Sequence, residues 1–139
     1  MGKSFLKSMK SDFSFEIKIV YDDICTKPQP GFLTDFGFSA LIYNNLSKTH
    51  LLFDTGSKGD ILIHNINKFN VTVSEIKKVI ISHNHYDHAG GLKEIYRINR
   101  DIEIYVPLHD KESFIRAYPE AQVQGISEMV EVDNNIFSS

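Results

Sequence analysis

Alternating and continuous runs of apolar residues divide the chain into strands and helices. Over residues 15–21 every second residue is apolar, which predicts a strand that buries Phe15, Ile17, Ile19 and Tyr21. Residues 37–43 and 50–53 are further apolar runs joined by turn-forming residues, so they predict an antiparallel hairpin. Residues 22–35 have no periodicity and predict a long loop.

The second part of the chain alternates helical and strand patterns. Ser57 and Asp60 have the spacing of a capping box before a helix predicted over residues 59–69. The continuous apolar residues 79–81 predict a strand buried on both faces. Beyond them the pattern predicts a helix near Leu92, a strand over 102–106, a helix over 110–118 and a strand over 129–132. Strands that alternate with helices indicate an α/β class, with a flexible leader over 1–14 and one domain over 15–139.

Composition narrows the class of protein and of partner. The 15 basic and 18 acidic residues leave a net charge of -3 without a basic stripe, so we do not expect nucleic acid as a partner. A single cysteine, Cys25, cannot form an internal disulfide, which favours a reducing cytoplasm. No run of 18 apolar residues is present, and the basic start lacks the apolar segment of a signal peptide. Neither a membrane span nor secretion is therefore expected.

Four potential metal ligands lie within six residues directly after the buried strand. They are His83, His85, Asp87 and His88. Imidazole and carboxylate suit zinc, iron or manganese, and residues two apart in an extended segment point the same way, so His83 and His85 can share one ion. Asp87 and His88 come where the loop turns into a helix, and they can reach a second ion. Two such ions can activate a bridging water and bind the oxygens of a phosphate or carbonyl.

Other polar residues have weaker claims to a site. Asp54 ends the second hairpin strand and can accept the second ring proton of a histidine, although Asp-Thr-Gly is also ordinary turn chemistry. His50 lies in a strand pattern and His64 in a helical pattern, so we interpret both as structural. His109 precedes a predicted helix and is held as a reserve ligand, and Cys25 is interpreted as inert.

The string VIISHNHYDHAGGL, residues 79–92, resembles the signature of the metallo-β-lactamase superfamily. LLFDTG at 51–56 and GFSALI at 37–42 resemble, more narrowly, the dihydropterin-ribofuranosylaminobenzene-phosphate synthase-like hydrolases, over residues 18–114. That subgroup commonly has an acidic residue and a histidine before GFS, whereas Asp35 and Phe36 stand here. The resemblance implies the N-terminal half of an αββα sandwich, a mixed sheet with helices on one face.

The same resemblance implies a role for each candidate residue. His83 and His85 would bind the first metal and Asp87 and His88 the second, while Asp54 would orient the site from behind the ligands. The metal would be zinc, with iron or manganese as alternatives, and the substrate a small molecule with a phosphoester or other ester-like bond that a metal-activated water attacks.

Ligand counting changes what can be expected of one copy of the chain. Four ligands leave two for each of two ions, whereas a catalytic zinc normally has three protein ligands and a water. The family's second half, with its further ligands, has no counterpart here, so we expect a homo-oligomer or a missing C-terminal half to complete the site. The alternatives are a metal-binding or di-iron redox protein built from half-domains, and a non-catalytic interaction module.

Overall fold

A computed structural model describes residues 14–24 and 29–139, so residues 1–13 of the predicted leader and Cys25 lie outside the described part. Six strands form one mixed sheet whose order in space is the order along the chain. They are β1 (Phe15–Tyr21), β2 (Ser39–Asn44), β3 (Thr49–Phe53), β4 (Ile76–Ile80), β5 (Glu103–Pro107) and β6 (Gln122–Ile126). β1, β2 and β3 pair antiparallel, and β3 to β6 pair parallel. The predicted hairpin is confirmed.

Helices cover one face of this sheet, because each parallel strand pair needs a crossover connection. The helices are α1 (Gly59–Asn67), α2 (Tyr86–Ala89), α3 (Leu92–Ile98) and α4 (Lys111–Ala117), with 3-10 turns at Val73–Glu75 and Leu108–Asp110. The main core lies between helices and sheet, and its fully buried members include Leu52, Leu62, Ile66, Val79, Ile95 and Ile104. The predicted α/β class with helices on one face is confirmed. No helix in the two described ranges is long and apolar enough to cross a membrane.

A short hairpin covers part of the opposite face. Strands β7 (Val130–Asp133) and β8 (Ile136–Ser138) form a separate two-stranded sheet. Val132 of this hairpin packs in a second, smaller cluster with Leu51, Ile80 and Tyr105 of the main sheet. The polar contacts of Asp133 hold the hairpin against the sheet as well.

The burial predicted for the first strand is right for Tyr21 and wrong for Ile17 and Ile19. Ile17 and Ile19 are 64% and 53% exposed, while Val20 and Tyr21 are buried. The pairing register shifts between Ile19 and Tyr21, and such a bulge breaks the period of two on which the prediction depended. Ile17 and Ile19 lie on the face opposite the helices, beyond the small hairpin's cluster.

Other elements differ from their predictions in extent. The helix predicted over 59–69 ends at Asn67, and Lys58 rather than Ser57 is its N-cap, without a side-chain cap, so the predicted capping box is absent. Ser57 instead bonds to the Tyr21 hydroxyl at 2.9 Å. β6 and β8 were not predicted, because glutamines interrupt the apolar pattern of β6 and β8 has only three residues.

Candidate metal centre

The candidate ligands lie at the carboxyl ends of two neighbouring parallel strands. Asp54 directly follows β3, and His83 follows β4 by three residues. In open α/β sheets ligands commonly bind at this edge, because the loops that leave adjacent parallel strands meet there. The topology therefore brings two segments that are distant in sequence to one site.

We call residues 83–88 the histidine loop. Its four candidate ligand side chains converge. Donor atoms of His83, His85 and Asp87 lie within 4.8 Å of one another. The His83 ring centroid lies 4.5 Å from that of His85 and 4.2 Å from that of His88. His88 Nε2 is 3.3 Å from Asp87 Oδ2. The structure thus groups Asp87 with the two histidines as well as with His88, and the division of the four ligands between two ions stays a prediction.

Asp54 lies behind this group and is 1% exposed. Its Oδ1 accepts a hydrogen bond from the Ser82 amide at 2.7 Å, and its Oδ2 accepts one from the Ser82 hydroxyl at 2.7 Å. His88 Nδ1 is also 2.7 Å from Oδ2. Within the described residues, no lysine or arginine forms an ion pair with Asp54. The hydrogen-bond partners of its carboxylate are therefore Ser82 and His88.

Ser82 is a site residue that the sequence interpretation missed. Its hydroxyl donates to Asp54, so its oxygen is available to accept from His83 Nδ1, which lies 2.9 Å away. With Nδ1 protonated, the Nε2 atom of His83 is left as the metal donor. Asp54 fixes the tautomer of His88 in the same way without an intermediary. The signal in the sequence was a hydroxyl residue between the buried strand and the first histidine.

Backbone contacts dock the segment after β3 on the histidine loop. The backbone amide and the hydroxyl of Thr55 both donate to the His88 carbonyl, at 2.6 and 2.9 Å. A Cβ atom at Gly91 would lie 2.2 Å from the Thr55 carbonyl, and one at Gly90 would lie 2.5 Å from the Ser57 carbonyl. Side chains at these two positions would separate the segments. Glycine at both positions therefore permits this close packing.

The remaining histidines make contacts outside the cluster. His64 Nε2 lies 2.6 Å from the Gly31 carbonyl. The His50 ring packs against Tyr43 with centroids 4.8 Å apart, and burial lowers its pKa. His109 is exposed, with Nε2 3.3 Å from Asp110. Over the described ranges, none of the three belongs to the group of potential metal ligands.

A family model described as the metallo-beta-lactamase superfamily matches residues 34–132. A curated relative is the 7,8-dihydropterin-6-methyl-4-(beta-D-ribofuranosyl)-aminobenzene-5'-phosphate synthase of Methanocaldococcus jannaschii. It is 38% identical over 77 residues, which are 53% of this chain and 26% of that protein. An uncharacterized protein of the same organism is 33% identical over 114 residues, or 82% of this chain and 41% of the relative. The chain spans less than half the length of either relative.

The fold also matches solved structures. A flavo di-iron protein from Thermotoga maritima superposes with a TM-score of 0.56 and 25% sequence identity. The match covers 69% of this chain and 25% of that protein.

Proposed function

The chain belongs to the metallo-β-lactamase superfamily, and we propose that it supplies the metal-binding half of a hydrolase acting on a phosphoester or other ester-like bond. The observation that carries the proposal is the convergence of His83, His85 and Asp87, with donor atoms within 4.8 Å of one another. The buried Asp54 behind them supports it, because its Oδ2 atom contacts His88 Nδ1 directly and His83 through the Ser82 hydroxyl. A cytoplasmic location is part of the proposal and rests on the single cysteine.

The residues fit a divalent metal by their chemistry. Two imidazoles and a carboxylate are the donors that zinc accepts in catalytic sites, and the same set accepts iron or manganese. Asp87 makes no ion pair with a lysine or arginine anywhere in the described ranges, so its charge is not balanced by such a side chain. Zinc is the metal we propose, with iron and manganese as alternatives.

Within this proposal, each side chain has a separate task. His83, His85 and Asp87 hold the metal, and His88 presents Nε2 because its Nδ1 faces Asp54. Bound metal supplies an activated water nucleophile and a clamp for the oxygens of the ester. Asp54 holds a proton at Nδ1 of His88 and, through the Ser82 hydroxyl, a proton at Nδ1 of His83. Both rings then keep a lone pair on Nε2 for the metal.

One copy of the chain holds four donors, and a dinuclear site needs more. We propose that a second copy, or another part of a longer protein, supplies the remaining ligands. The lengths of the two relatives support the second possibility, since this chain covers 26% and 41% of them. The name of the first relative includes a 5'-phosphate, which supports a phosphoester as the substrate class.

The test is metal content and hydrolysis in matched variants. The purified chain should contain zinc in near-stoichiometric amount by elemental mass spectrometry. The oligomer or longer protein that completes the site should in addition hydrolyse 4-nitrophenyl phosphate. His83→Ala combined with His85→Ala should reduce both to background, because it removes two donors at once. His109→Ala is the matched control, since it removes an exposed imidazole outside the cluster. Metal content unchanged in the double variant would refute the site assignment.

A di-iron redox protein is the second candidate, and the match to the flavo di-iron protein supports it. This candidate predicts bound iron, a reversible change of the optical spectrum on reduction, and no hydrolysis of 4-nitrophenyl phosphate. The hydrolase predicts hydrolysis without a redox change. A folded protein that takes up neither zinc nor iron would contradict both candidates.

A further inference from the structure

Two exposed aromatic rings belong to segments that carry or contact the candidate metal ligands. Phe36 is 51% exposed and Tyr86 is 68% exposed. Their ring centroids are 6.0 Å apart with an interplanar angle of 31°, so the two rings form a tilted pair. Tyr86 lies between His85 and Asp87 in the histidine loop. We call this pair of rings the aromatic platform.

The position of Phe36 is fixed by contacts of its neighbours in the chain. Asp35 Oδ1 accepts a hydrogen bond from the Phe36 amide at 2.7 Å, and Asp35 Oδ2 is 2.5 Å from Lys58 Nζ. On the other side, Gly37 has φ +130°, and a Cβ there would lie 2.2 Å from the Asp87 carbonyl. The Phe38 amide donates to the same carbonyl at 3.2 Å. The segment that carries Phe36 is therefore docked on the backbone of a metal ligand.

Packing within the described chain does not account for the exposure of these rings. Neither belongs to the two hydrophobic clusters that the structure describes. Single exposed apolar side chains are normal on protein surfaces. Here two large rings from segments about fifty residues apart are brought together. Tyr86 stands between two candidate ligands in sequence, and the segment after Phe36 bonds to the backbone of Asp87.

We propose that the aromatic platform binds a planar aromatic group of the substrate, so that the hydrolase acts on aryl or heteroaryl phosphoesters. The inference rests on the proposed function, since the phosphate would lie at the metal ligands while the aromatic group packs on Phe36 and Tyr86. Asp35 and Lys58 beside the platform balance each other's charge. The platform therefore suits an uncharged ring, held by stacking and by burial of apolar surface.

Two phosphonates that differ in one group test this proposal. Phenylphosphonate and methylphosphonate present the same oxyanion to the metal, and only the first carries a ring. In titration calorimetry of the zinc-loaded chain, phenylphosphonate should bind about 10-fold more tightly. Phe36→Ala and Tyr86→Ala should each reduce this preference several-fold, because each removes part of the platform. Tyr86→Phe should keep it, since the ring and not the hydroxyl makes the contact.

Phe137→Ala is the matched control, because Phe137 is an equally exposed ring on β8. It should leave the preference unchanged. Equal binding of the two phosphonates, or a preference that survives both alanine variants, would overturn the aromatic platform alone. If zinc-loaded protein binds neither phosphonate, the proposed hydrolase site fails and the platform fails with it. Circular dichroism of the variants verifies that they are folded.

Discussion

Two aspartates that contact opposite ends of the main sheet, the buried Asp54 and the half-buried Asp133 of the small hairpin, have different partners. Asp133 Oδ2 accepts from the Asn44 amide at 2.7 Å and from the Ser47 hydroxyl at 2.5 Å, and its Oδ1 lies 3.4 Å from Lys78 Nζ. Asp54, at the other end, bonds to Ser82 and a histidine and pairs with no lysine or arginine in the described residues. One carboxylate is paired with a lysine within the chain, whereas the other bonds to groups that we propose bind a cation. The two aspartates are therefore distinguished by their hydrogen-bond partners.

The largest effect that tests this comparison is on metal affinity. Asp54→Asn should weaken zinc binding about 10- to 100-fold, because the amide replaces one acceptor oxygen by an NH2 group and cannot accept from the Ser82 amide as well as from the Ser82 hydroxyl and His88. Asparagine also tolerates the left-handed backbone of this position, φ 57°, so the replacement adds little strain. Zinc affinity is measured by competition with a chromogenic chelator.

Asp133→Asn is the matched control for this measurement, since it makes the same change at a hydrogen-bonded aspartate that contacts the other end of the sheet. Its zinc affinity should equal that of the wild type. Equal losses in the two variants would mean that both aspartates act only by supporting the fold, and the comparison would be wrong.

At Asp133 we expect the change to affect the stability of the fold and not the metal affinity. Asp133→Asn should lower the free energy of unfolding by about 1 to 3 kcal/mol, because Lys78 loses its anionic partner in a largely buried network. Urea denaturation measures this value. Asp101→Asn is the control, because Asp101 is exposed, and it should change the free energy of unfolding by less than about 0.5 kcal/mol.

The direction of the Asp133 pKa shift predicts how the stabilisation by this residue depends on pH. Burial alone would raise the pKa of Asp133, but hydrogen bonds from Ser47 and Asn44 and the charge of Lys78 outweigh it and hold the pKa below the usual 3.8. The stabilisation is therefore complete above about pH 4 and is lost as the pH falls through the lowered folded value. The difference between wild type and Asp133→Asn should shrink in acid. A difference that grows below pH 4 would contradict this assignment.

The candidate ligands and Asp54 at one end of the sheet could be predicted from the sequence, whereas the contacts at the Asp133 end could not. The histidine loop could be found because four potential ligands lie within six residues. Asp54 could be found because it ends the strand that precedes the buried strand along the chain. The Asp133 network could not, since it joins side chains from a turn, two strands and a separate hairpin whose pairing no local pattern encodes. The burial of β1 was missed for a similar reason, because its bulge depends on the pairing with β2.

Ser82 provides a smaller effect at the metal end. Ser82→Ala should weaken zinc binding by up to about 10-fold, less than Asp54→Asn, because it frees the tautomer of His83 but leaves His88 bonded to Asp54. Ser82→Thr keeps the hydroxyl and should restore most of the affinity. In nitrogen-15 NMR of the metal-free protein, Ser82→Ala should show His83 as a mixture of tautomers.

Ser127→Ala, which removes an exposed hydroxyl, should change neither the zinc affinity nor the NMR spectrum of His83. A single His83 tautomer in Ser82→Ala would mean that another group holds the ring. Asp54 would then act on His88 alone.

The smallest effect concerns His50, which lies on the same strand that leads to Asp54 but orients no ligand. Burial lowers the pKa of His50 below 6.5, the nearby Lys18 lowers it further, and Glu75 and Glu16 oppose this. The unfolded chain therefore binds the proton more readily, and stability falls as the pH drops below about 6.5. Relative to His50→Gln, the wild type should lose a small part of its free energy of unfolding between pH 7 and pH 5. His109→Gln, at an exposed ring, should follow the wild-type curve. If the free energies of unfolding of wild type and His50→Gln change in parallel over this range, His50 has the same pKa in the folded and the unfolded state. Burial of the His50 ring would then not disfavour its protonated form.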